Sequence, residues 1–417
     1  MPLTIQGDLR SHRRHLETST NIKFLLTLRI TVLSICFIFS FMCCEFILSY
    51  FFLNPMSKLS DMLQKVNGMA GTLLCLIIGM WKRDDLKDCI YALADIDFRC
   101  KYNRLSSKYM RTTVIIWILM FPPGFLNCIY MTYTVFGILI RNGIWPYTVE
   151  CVAFFSPCLV LTSISMMFVC FVYIISEYLE TMNKVLKNLS NQWENRKIRS
   201  ISAKSRSLNC LDSFSMYTIV TKNPCEIIHE SMEIHHLICE AASTANKYFT
   251  YQLLTIISIA FLIIVFDAYY VLETLLGKSK RESKFKTVEF VTFFSCQMIL
   301  YLIAIISIVE GSNRAIKKSE QTGGIVHGLL NKAKSPDVKE KLQQFSMQLM
   351  HLKINFTAAG LFNIDRTLYF TISGALTTYL IILLQFTSSA PNGSVPCSFG
   401  QNGNITAIGN ATIAPNN

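Results

Sequence analysis

Residues Thr367–Phe386, with the sequence TLYFTISGALTTYLIILLQF, form an uncharged segment near the C-terminal end of the chain. About 20 predominantly apolar residues in a helix are enough to cross the hydrocarbon core of a bilayer. The segment therefore predicts a transmembrane helix. Gln385 stands at its end beside an aromatic residue, and an amide within a span usually faces a partner helix or water rather than lipid.

Apolar runs of similar length occur throughout the chain. The protein is 52% hydrophobic and 16% charged, with a mean hydropathy of +0.38, whereas soluble domains carry about 25% charged residues. The chain is thus predicted to be an all-α polytopic membrane protein with seven transmembrane helices. The six runs that precede Thr367 are Phe24–Phe52, Val66–Trp81, Thr112–Ile140, Tyr147–Ser176, Tyr248–Leu276 and Val288–Val309.

The positions of the basic residues predict the topology. With the N-terminus placed inside, the inner segments carry 30 Lys and Arg and the outer segments carry 8. Lys and Arg are enriched in cytoplasmic loops, so we expect a cytoplasmic N-terminus and an extracellular C-terminus. The same distribution favours membrane lipid over nucleic acid as the partner for the net charge of +12.

The C-terminal tail supports this topology independently. Asn392, Asn404 and Asn410 each begin a glycosylation sequon in uncharged sequence rich in Ser, Asn and Gly. Such a tail is predicted to be disordered, extracellular and glycosylatable. The predicted organisation is a cytoplasmic tail (1–23), six spans with an outer ligand pocket and long inner loops (24–309), a cytoplasmic anchor helix region (310–366), a pore-lining helix (367–386) and the tail (387–417).

Two helical patterns extend beyond the spans. Asn223 and Pro224 predict a helix start, and the helix is expected to continue unbroken from Cys225 for about fifty residues through the fifth span. A heptad seam follows Ser335 and comprises Val338, Leu342, Phe345, Leu349, Leu352 and Phe356. The seam could pack within the chain, on the extensions of the fourth and fifth spans, or between subunits around an axis.

Motifs for enzymatic chemistry are missing from the sequence. His229, His235 and His236 are expected to lie on a solvated helix face, and the seven histidines are too scattered for the histidine boxes of a membrane oxygenase. No phosphate loop, Cys-x-x-Cys pair or serine nucleophile elbow occurs. The chain is therefore predicted to be neither an enzyme nor a cofactor-binding protein.

Aromatic residues cluster in the outer halves of the third to sixth spans. Pro122, Pro123 and Pro157 lie at a similar depth, and proline kinks a helix because it removes a backbone hydrogen bond. Kinked helices lined by rings could enclose a flat or cationic small molecule, although an interfacial aromatic belt has the same composition. The predicted ligand-binding residues are Phe125, Tyr133, Phe154, Asp267, Tyr269, Tyr270, Phe294 and Gln297.

Asp267 is singled out because ionisable residues inside spans are costly. It could bind a cationic or hydroxylated ligand, or it could make a structural hydrogen bond to a neighbouring helix. The final span carries a stripe of residues at helical spacing: Thr371, Ala375, Thr378, Ile382, Gln385 and Ser389. The stripe fits either a gated pore with an apolar constriction or a helix interface built on small residues.

The chain resembles insect gustatory receptors. The resemblance covers the whole chain in its architecture, and in sequence it is specific over Lys339–Phe386. It is carried by Ala359-Gly360-Leu361-Phe362, by Ile364-Asp365-Arg366 and by Thr378-Tyr379 followed by Gln385-Phe386. It implies a ligand-gated cation channel of taste neurons, similar to the non-sugar subgroup that responds to bitter, noxious and thermal stimuli. The related olfactory co-receptor implies a homotetramer in which four final spans line the pore, with Gln385 and Phe386 at its outer gate and Ile382 one turn inward.

These expectations define a receptor-channel in the plasma membrane of sensory neurons. A small-molecule tastant would shift the fifth and sixth spans and move the final span off the pore axis. Its partners would be membrane lipid and either identical subunits or other gustatory receptors. A G-protein-coupled receptor would need an extracellular N-terminus, and the Asp-Arg-Tyr motif of that class does not end the third span of this chain. A solute transporter would be expected to show internal repeats, and none is visible in the sequence.

Overall fold

A computed structural model describes residues 55–102, 129–130, 133, 136–137, 140, 148–201, 223–276 and 287–389. This part of the chain forms long helices and one small antiparallel sheet. The elements are α1 (Pro55–Trp81), α2 (Arg83–Tyr102), α3 (Thr148–Ile201), α4 (Pro224–Leu275), α5 (Thr287–Lys332), α6 (Pro336–His351), β1 (Thr357–Ala358), β2 (Phe362–Asn363) and α7 (Thr367–Ser389).

Helices coincide with five of the seven predicted spans. Four of the described helices are long and apolar enough to cross a membrane, over Val160–Trp193, Pro224–Leu275, Val291–Lys332 and Thr367–Gln385. The shorter apolar helix Val66–Trp81 matches the second predicted run. The run Phe24–Phe52 and most of Thr112–Ile140 lie outside the described residues.

Three helices are much longer than a membrane requires. α3, α4 and α5 contain 54, 52 and 46 residues, whereas about 20 residues cross a bilayer. The predicted unbroken helix of about fifty residues is confirmed, since α4 begins at Pro224 and continues to Leu275. Asn223 precedes it in extended conformation, and its side chain makes no capping hydrogen bond, so the proline at the first helical position marks this start.

Each of these three helices extends beyond its apolar, membrane-spanning part, and the extensions form a bundle with α6. This bundle is called the helical base and comprises residues 177–193 of α3, 224–247 of α4, 310–332 of α5, and α6. Charged pairs join α3 and α5 within it. Arg314 bonds Glu177 at 3.2 Å and Lys318 bonds Glu180 at 3.1 Å. The hydrogen bond from Lys184 is the main reason that the pKa of Glu180 is lowered. Such charged pairs are typical of a water-exposed region rather than of lipid.

The first half of the heptad seam packs within the chain. Val338, Leu342 and Phe345 on α6 are buried in one cluster. The residues of the other base helices in that cluster are Leu186, Leu189, Ile227, Ile228, Val326 and Leu329. The buried face of α6 is therefore covered by α4 and α5 of the same chain.

The last two residues of the seam, Leu352 and Phe356, are not helical, contrary to the prediction. α6 ends at His351, and Leu352 is extended at φ −100° and ψ 91°. From there burial alternates: Ile354, Phe356 and Ala358 are buried, and the residues between them are exposed or half-buried. The pattern thus changes from the helical period to the two-residue period of a strand, and the chain leads directly into β1.

Three phenyl rings occupy the centre of the main core. Phe168 of α3 meets Phe249 of α4 at 5.4 Å between ring centroids and Phe356 at 5.7 Å, both edge to face. Each ring is at most 1% exposed. Edge-to-face pairs stabilise a core by roughly 1 kcal/mol beyond the burial of their area. The segment before β1 is thereby fixed to α3 and α4.

Helices α1 and α2 pack in succession along α4, and both run antiparallel to it. Gly71 of α1 lies against Ile259, Asp85 of α2 pairs with Lys247 at 2.9 Å, and Arg99 pairs with Glu233 at 3.0 Å. Sequence positions rise along α1 and α2 as their partners fall along α4. The inner segment that follows the second predicted span is therefore helical from Arg83 to Tyr102.

Gly71 permits the close approach of α1 to α4. A Cβ atom there would overlap the end of the Ile259 side chain and would lie 3.0 Å from Ile259 Cγ1 and 3.2 Å from Thr255 Cγ2, whereas a Cβ at Gly68 would meet nothing within 4 Å. We expect Gly71→Ala to lower the melting temperature of the detergent-purified protein, because overpacking costs about 1–3 kcal/mol. Gly68→Ala is the matched control and should be neutral or stabilising, because Ala favours a helix. Equal melting temperatures for the two variants would contradict this packing.

Candidate functional site

A cluster of rings joins the ends of α4 and α5 that lie farthest from the helical base. Tyr270 of α4 contacts Phe294 of α5 at 5.2 Å between centroids, and it also contacts its neighbour Tyr269 at 5.6 Å. Phe293 lies 5.4 Å from Phe294, edge to face. Three of the predicted ligand-binding residues are therefore in contact. These four rings, Tyr269, Tyr270, Phe293 and Phe294, are called the aromatic cluster below.

Two polar side chains of the predicted site belong to the same pair of helices. Asp267 is fully buried on α4, one turn before Tyr270. Gln297 is half-buried on α5, one turn after Phe294. A carboxyl group and an amide at the borders of an aromatic cluster could orient a small organic molecule, as the few polar groups of a ligand pocket commonly do.

A third segment reaches this region. The Tyr130 hydroxyl and Thr292 Oγ1 of α5 are 2.9 Å apart and share a hydrogen bond. Tyr133, a predicted ligand-binding residue, is 78% exposed, so it contributes little to an enclosed site within one copy of the chain. Phe154 belongs to α3, but its side chain lies outside the described residues, as does all of Phe125.

The final helix, α7, is hardly covered by the rest of the chain. Leu368 is its one buried residue between 367 and 385. Thr378 and Gln385 of the predicted pore stripe are exposed, and Ile382 is 39% exposed. Phe386 continues the helix, but its side chain is outside the described residues.

Threonine hydroxyls of α7 are satisfied within the helix. The Thr378 hydroxyl donates to the Gly374 carbonyl at 2.9 Å, and the Thr371 hydroxyl donates to the Thr367 carbonyl at 3.3 Å. Hydroxyls bonded in this way can line a pore or a helix interface without a further partner. In the C-terminal half of α7, Tyr379 contacts Phe261 of α4, with 5.9 Å between the ring centroids.

A β-hairpin connects the helical base to α7. Thr357 pairs with Asn363 and Ala358 with Phe362. Ala359 and Gly360 make the turn at φ 52° and 71°, in the left-handed region that glycine adopts without strain. The Leu361 amide donates to the Ala358 carbonyl at 3.0 Å and closes the turn.

Side chains of α4 hold the hairpin in place. The Thr357 amide donates to Asn246 Oδ1 at 2.9 Å, and the Ala359 amide donates to Thr250 Oγ1 at 2.7 Å. The Thr250 hydroxyl in turn donates to the Thr357 carbonyl at 3.1 Å. Because Asn246 and Thr250 are four residues apart, they lie on one face of α4.

An ion pair joins the start of α7 to α5. Arg366 donates two hydrogen bonds to Glu310, from Nε to Oε1 at 3.0 Å and from Nη2 to Oε2 at 2.8 Å. The Arg366 hydrogen bond is the main cause that holds the pKa of Glu310 below its ordinary value, and Glu310 raises the pKa of Arg366. Both groups are therefore charged at neutral pH. Asp365 Oδ1 accepts a hydrogen bond from the Thr367 amide at 2.8 Å and so caps the first turn of α7.

Sequence analysis missed the partners of this junction. Asn246, Thr250 and Glu310 lie 47 or more residues before the hairpin and carry no local motif. The hairpin itself had a signal, because the two-residue alternation from Lys353 to Ala358 and the glycine at position 360 are typical of a strand and a tight turn.

The histidines differ in part from the expectation of a solvated face. His236 is exposed and His229 lies 3.5 Å from Glu233 on the surface. His235 is instead fully buried and packs edge to face on Phe345 at 5.8 Å; burial lowers its pKa to about 4, so it is neutral. Among the described residues, no group of three or more His, Cys, Asp or Glu side chains could hold a metal ion.

Comparison with known proteins identifies the family. The 7tm chemosensory receptor family model matches residues 1–389. Gustatory receptor 28b of Drosophila melanogaster is 62% identical over 352 residues, which cover 84% of this chain and 74% of that protein. Gustatory receptor 28a of the same organism is 32% identical, over 90% of this chain and 86% of the relative.

A solved structure gives the fold. The olfactory receptor OR5 from the insect Machilis hrabei, in complex with eugenol, superimposes with a TM-score of 0.59 over 88% of this chain and 91% of that chain, at 12% sequence identity. At this identity the likeness establishes the fold alone, and it is the seven-transmembrane-helix fold that the apolar runs predict. This chain belongs to the 7tm chemosensory receptor family, a family of receptors rather than enzymes, and is a relative of the insect gustatory receptors.

Proposed function

We propose that this protein is a ligand-gated, non-selective cation channel that responds to bitter, noxious or other non-sugar stimuli in sensory neurons. The observation that carries the proposal is the exposure of α7, an uncharged helix of membrane-spanning length with a stripe of polar and small residues. Lipid covers apolar faces, but a stripe with Thr and Gln is better matched by water or by another helix.

Four copies arranged around an axis would cover α7 and leave a pore between the copies. In this arrangement Thr378 and Gln385 would line the conduction path, with Ile382 between them. Ile382 and Phe386 would form apolar rings that exclude water, and ions do not cross a dry constriction. The gustatory receptor motif that ends the chain's last span supports the same assignment.

The aromatic cluster is the proposed ligand site. Tyr269, Tyr270 and Phe294 offer ring faces and edges, while Asp267 and Gln297 supply polar groups at its borders. A ligand that binds there more tightly in the open than in the closed arrangement of α4 and α5 would favour opening, since only differential affinity shifts such an equilibrium.

The proposed topology has a cytoplasmic N-terminus and an extracellular, glycosylated C-terminus in the plasma membrane. We expect an epitope tag at the N-terminus to stain only after permeabilisation, and one at the C-terminus to stain on intact cells. Removing the sequons at Asn392, Asn404 and Asn410 should increase electrophoretic mobility to that of glycosidase-treated protein. An N-terminal tag visible on intact cells would contradict the topology and favour a G-protein-coupled receptor.

Ligand binding can be tested by shortening side chains of the aromatic cluster and its border. We expect Tyr269→Ala, Tyr270→Ala and Gln297→Ala each to raise the agonist concentration for half-maximal current, using any compound from a bitter panel that activates the wild type. A lost ring contact of about 1 kcal/mol corresponds to roughly a fivefold shift. Tyr251→Ala is the control, because this exposed tyrosine of α4 lies near the helical base. Unchanged dose responses in all three surface-expressed variants would place the ligand site elsewhere.

Pore lining can be tested on α7 with whole-cell currents. Phe386→Ala should widen and wet the constriction, so cells should show a standing cation current without agonist. Gln385→Glu would place up to four carboxylates in the path and should increase the permeability to divalent relative to monovalent cations.

Phe370→Ala serves as the control for the pore test. Phe370 is also on α7 and is 81% exposed, but it lies off the polar stripe, so its loss should leave both properties unchanged. Wild-type conduction by surface-expressed Phe386→Ala and Gln385→Glu would contradict a pore on this helix.

A further inference from the structure

The β1–β2 hairpin lies where three helices meet. It follows α6 of the helical base, binds α4 through Asn246 and Thr250, and leads into α7, whose first turn is bound to α5 by the Arg366–Glu310 pair. In the described part of the chain, the hairpin and Arg366 together therefore contact both helices of the aromatic cluster, and this junction continues into the proposed pore helix.

The hairpin and its flanking residues are built as a compact unit. Ile354, Phe356, Ala358 and Ile364 are each at most 3% exposed, and the Ile364 amide donates to the Phe356 carbonyl at 2.8 Å. The turn at Ala359 and Gly360 is closed by its own hydrogen bond. A small unit that is both buried and internally hydrogen-bonded moves as one body with the elements that hold it.

The attachment to α7 also fixes the direction of that helix. Asp365 caps the first turn, and residues 369–385 of α7 are exposed or half-buried. Gln385 lies 18 residues after Thr367, which is about 27 Å along a helix at 1.5 Å per residue. A tilt of about 5° at the junction would therefore move the far end by roughly 2 Å, enough to change a narrow constriction.

The same two helices carry the aromatic cluster at their other ends. Thr250 and Tyr270 are about 30 Å apart along α4, and Phe294 and Glu310 are about 24 Å apart along α5. Since rigid helices transmit a change of spacing or angle from one end to the other, a ligand between Tyr270 and Phe294 would alter the relative position of Thr250 and Glu310.

We propose that the hairpin couples ligand binding to the pore: Asn246 and Thr250 transmit the position of α4, the Glu310–Arg366 pair transmits the position of α5, and the hairpin converts their relative displacement into a tilt of α7. These four are positioning residues, because they contact neither the proposed ligand site nor the conduction path. The inference rests on the proposed channel function.

Surface ion pairs contribute little to folding stability, so the Glu310–Arg366 pair can be broken without loss of the fold. We expect Arg366→Gln and Glu310→Gln to lower the ratio of open to closed channels at saturating agonist by about fivefold or more, the usual range of a coupling effect. Single-channel conductance should stay unchanged, because the pore itself is intact. Arg366→Lys keeps the charge but loses the two-pronged geometry, so its effect should be intermediate.

Two further variants separate coupling from general damage. The exchange Glu310→Arg with Arg366→Glu restores an ion pair and should recover most of the open probability. Thr250→Val keeps the shape of the side chain but removes the hydroxyl that bonds Ala359 and Thr357, so it should reduce open probability from the α4 side. Single-channel recording combined with surface biotinylation measures all of these quantities.

A matched control lies in the helical base. Arg99 and Glu233 also form an ion pair onto α4, at the same 3.0 Å distance and with similar exposure, yet they lie away from the hairpin. Arg99→Gln should leave agonist gating unchanged. If Arg366→Gln, Glu310→Gln and Thr250→Val gate like the wild type, or if the charge exchange gives no recovery, the hairpin is not the coupling element. Absence of agonist current in the wild type itself would instead contradict the channel function and the coupling with it.

Discussion

The contact of Phe168, Phe249 and Phe356 is the packing constraint on which the arrangement of the chain depends. Two of these rings belong to long helices that continue from the apolar region into the helical base, and the third belongs to the extended segment after α6. Because all three are buried at one point, the chain that leaves the base is returned to α4 immediately before it forms the hairpin. The position of α7 follows from that return, since only ten residues separate Phe356 from Thr367, the first residue of α7.

The long helices explain how one chain can combine an apolar region with a polar base. Within a bilayer, helical hydrogen bonding satisfies every backbone group, and the same helices can continue into water if their side chains change in character. In α5 this change begins at Glu310, after which Arg314 and Lys318 pair with acidic residues of α3. The base is held partly by such pairs and partly by the apolar face of α6, so it remains connected to the apolar region by continuous helices rather than by loops.

Coverage differs sharply between α4 and α7. α4 is buried on several sides by α1, α2, α3 and α5. By contrast, Leu368 is the one buried residue of α7 between 367 and 385, and the helix otherwise packs through half-buried side chains and the Tyr379–Phe261 contact. A helix that is attached firmly at one end and packed lightly elsewhere can change its tilt at little packing cost. This property suits a gate. It also means that the tilt of α7 depends mainly on the hairpin and on the Arg366–Glu310 pair at the attached end.

The sequence by itself determined the membrane class, the positions of the apolar helices, the length of α4 and, through the motif around Gln385, the receptor family. These properties depend on local composition, on helical periodicity and on short motifs, all of which can be read along the chain. Only the tertiary structure decided that Leu352 and Phe356 leave the helix, that His235 is buried, and that Asn246, Thr250 and Glu310 hold the hairpin. Periodicity reports which face of a segment is apolar, but it does not report which distant segment covers that face. That choice depends on the simultaneous fit of side chains far apart in sequence, such as Phe168 with Phe249 and Phe356.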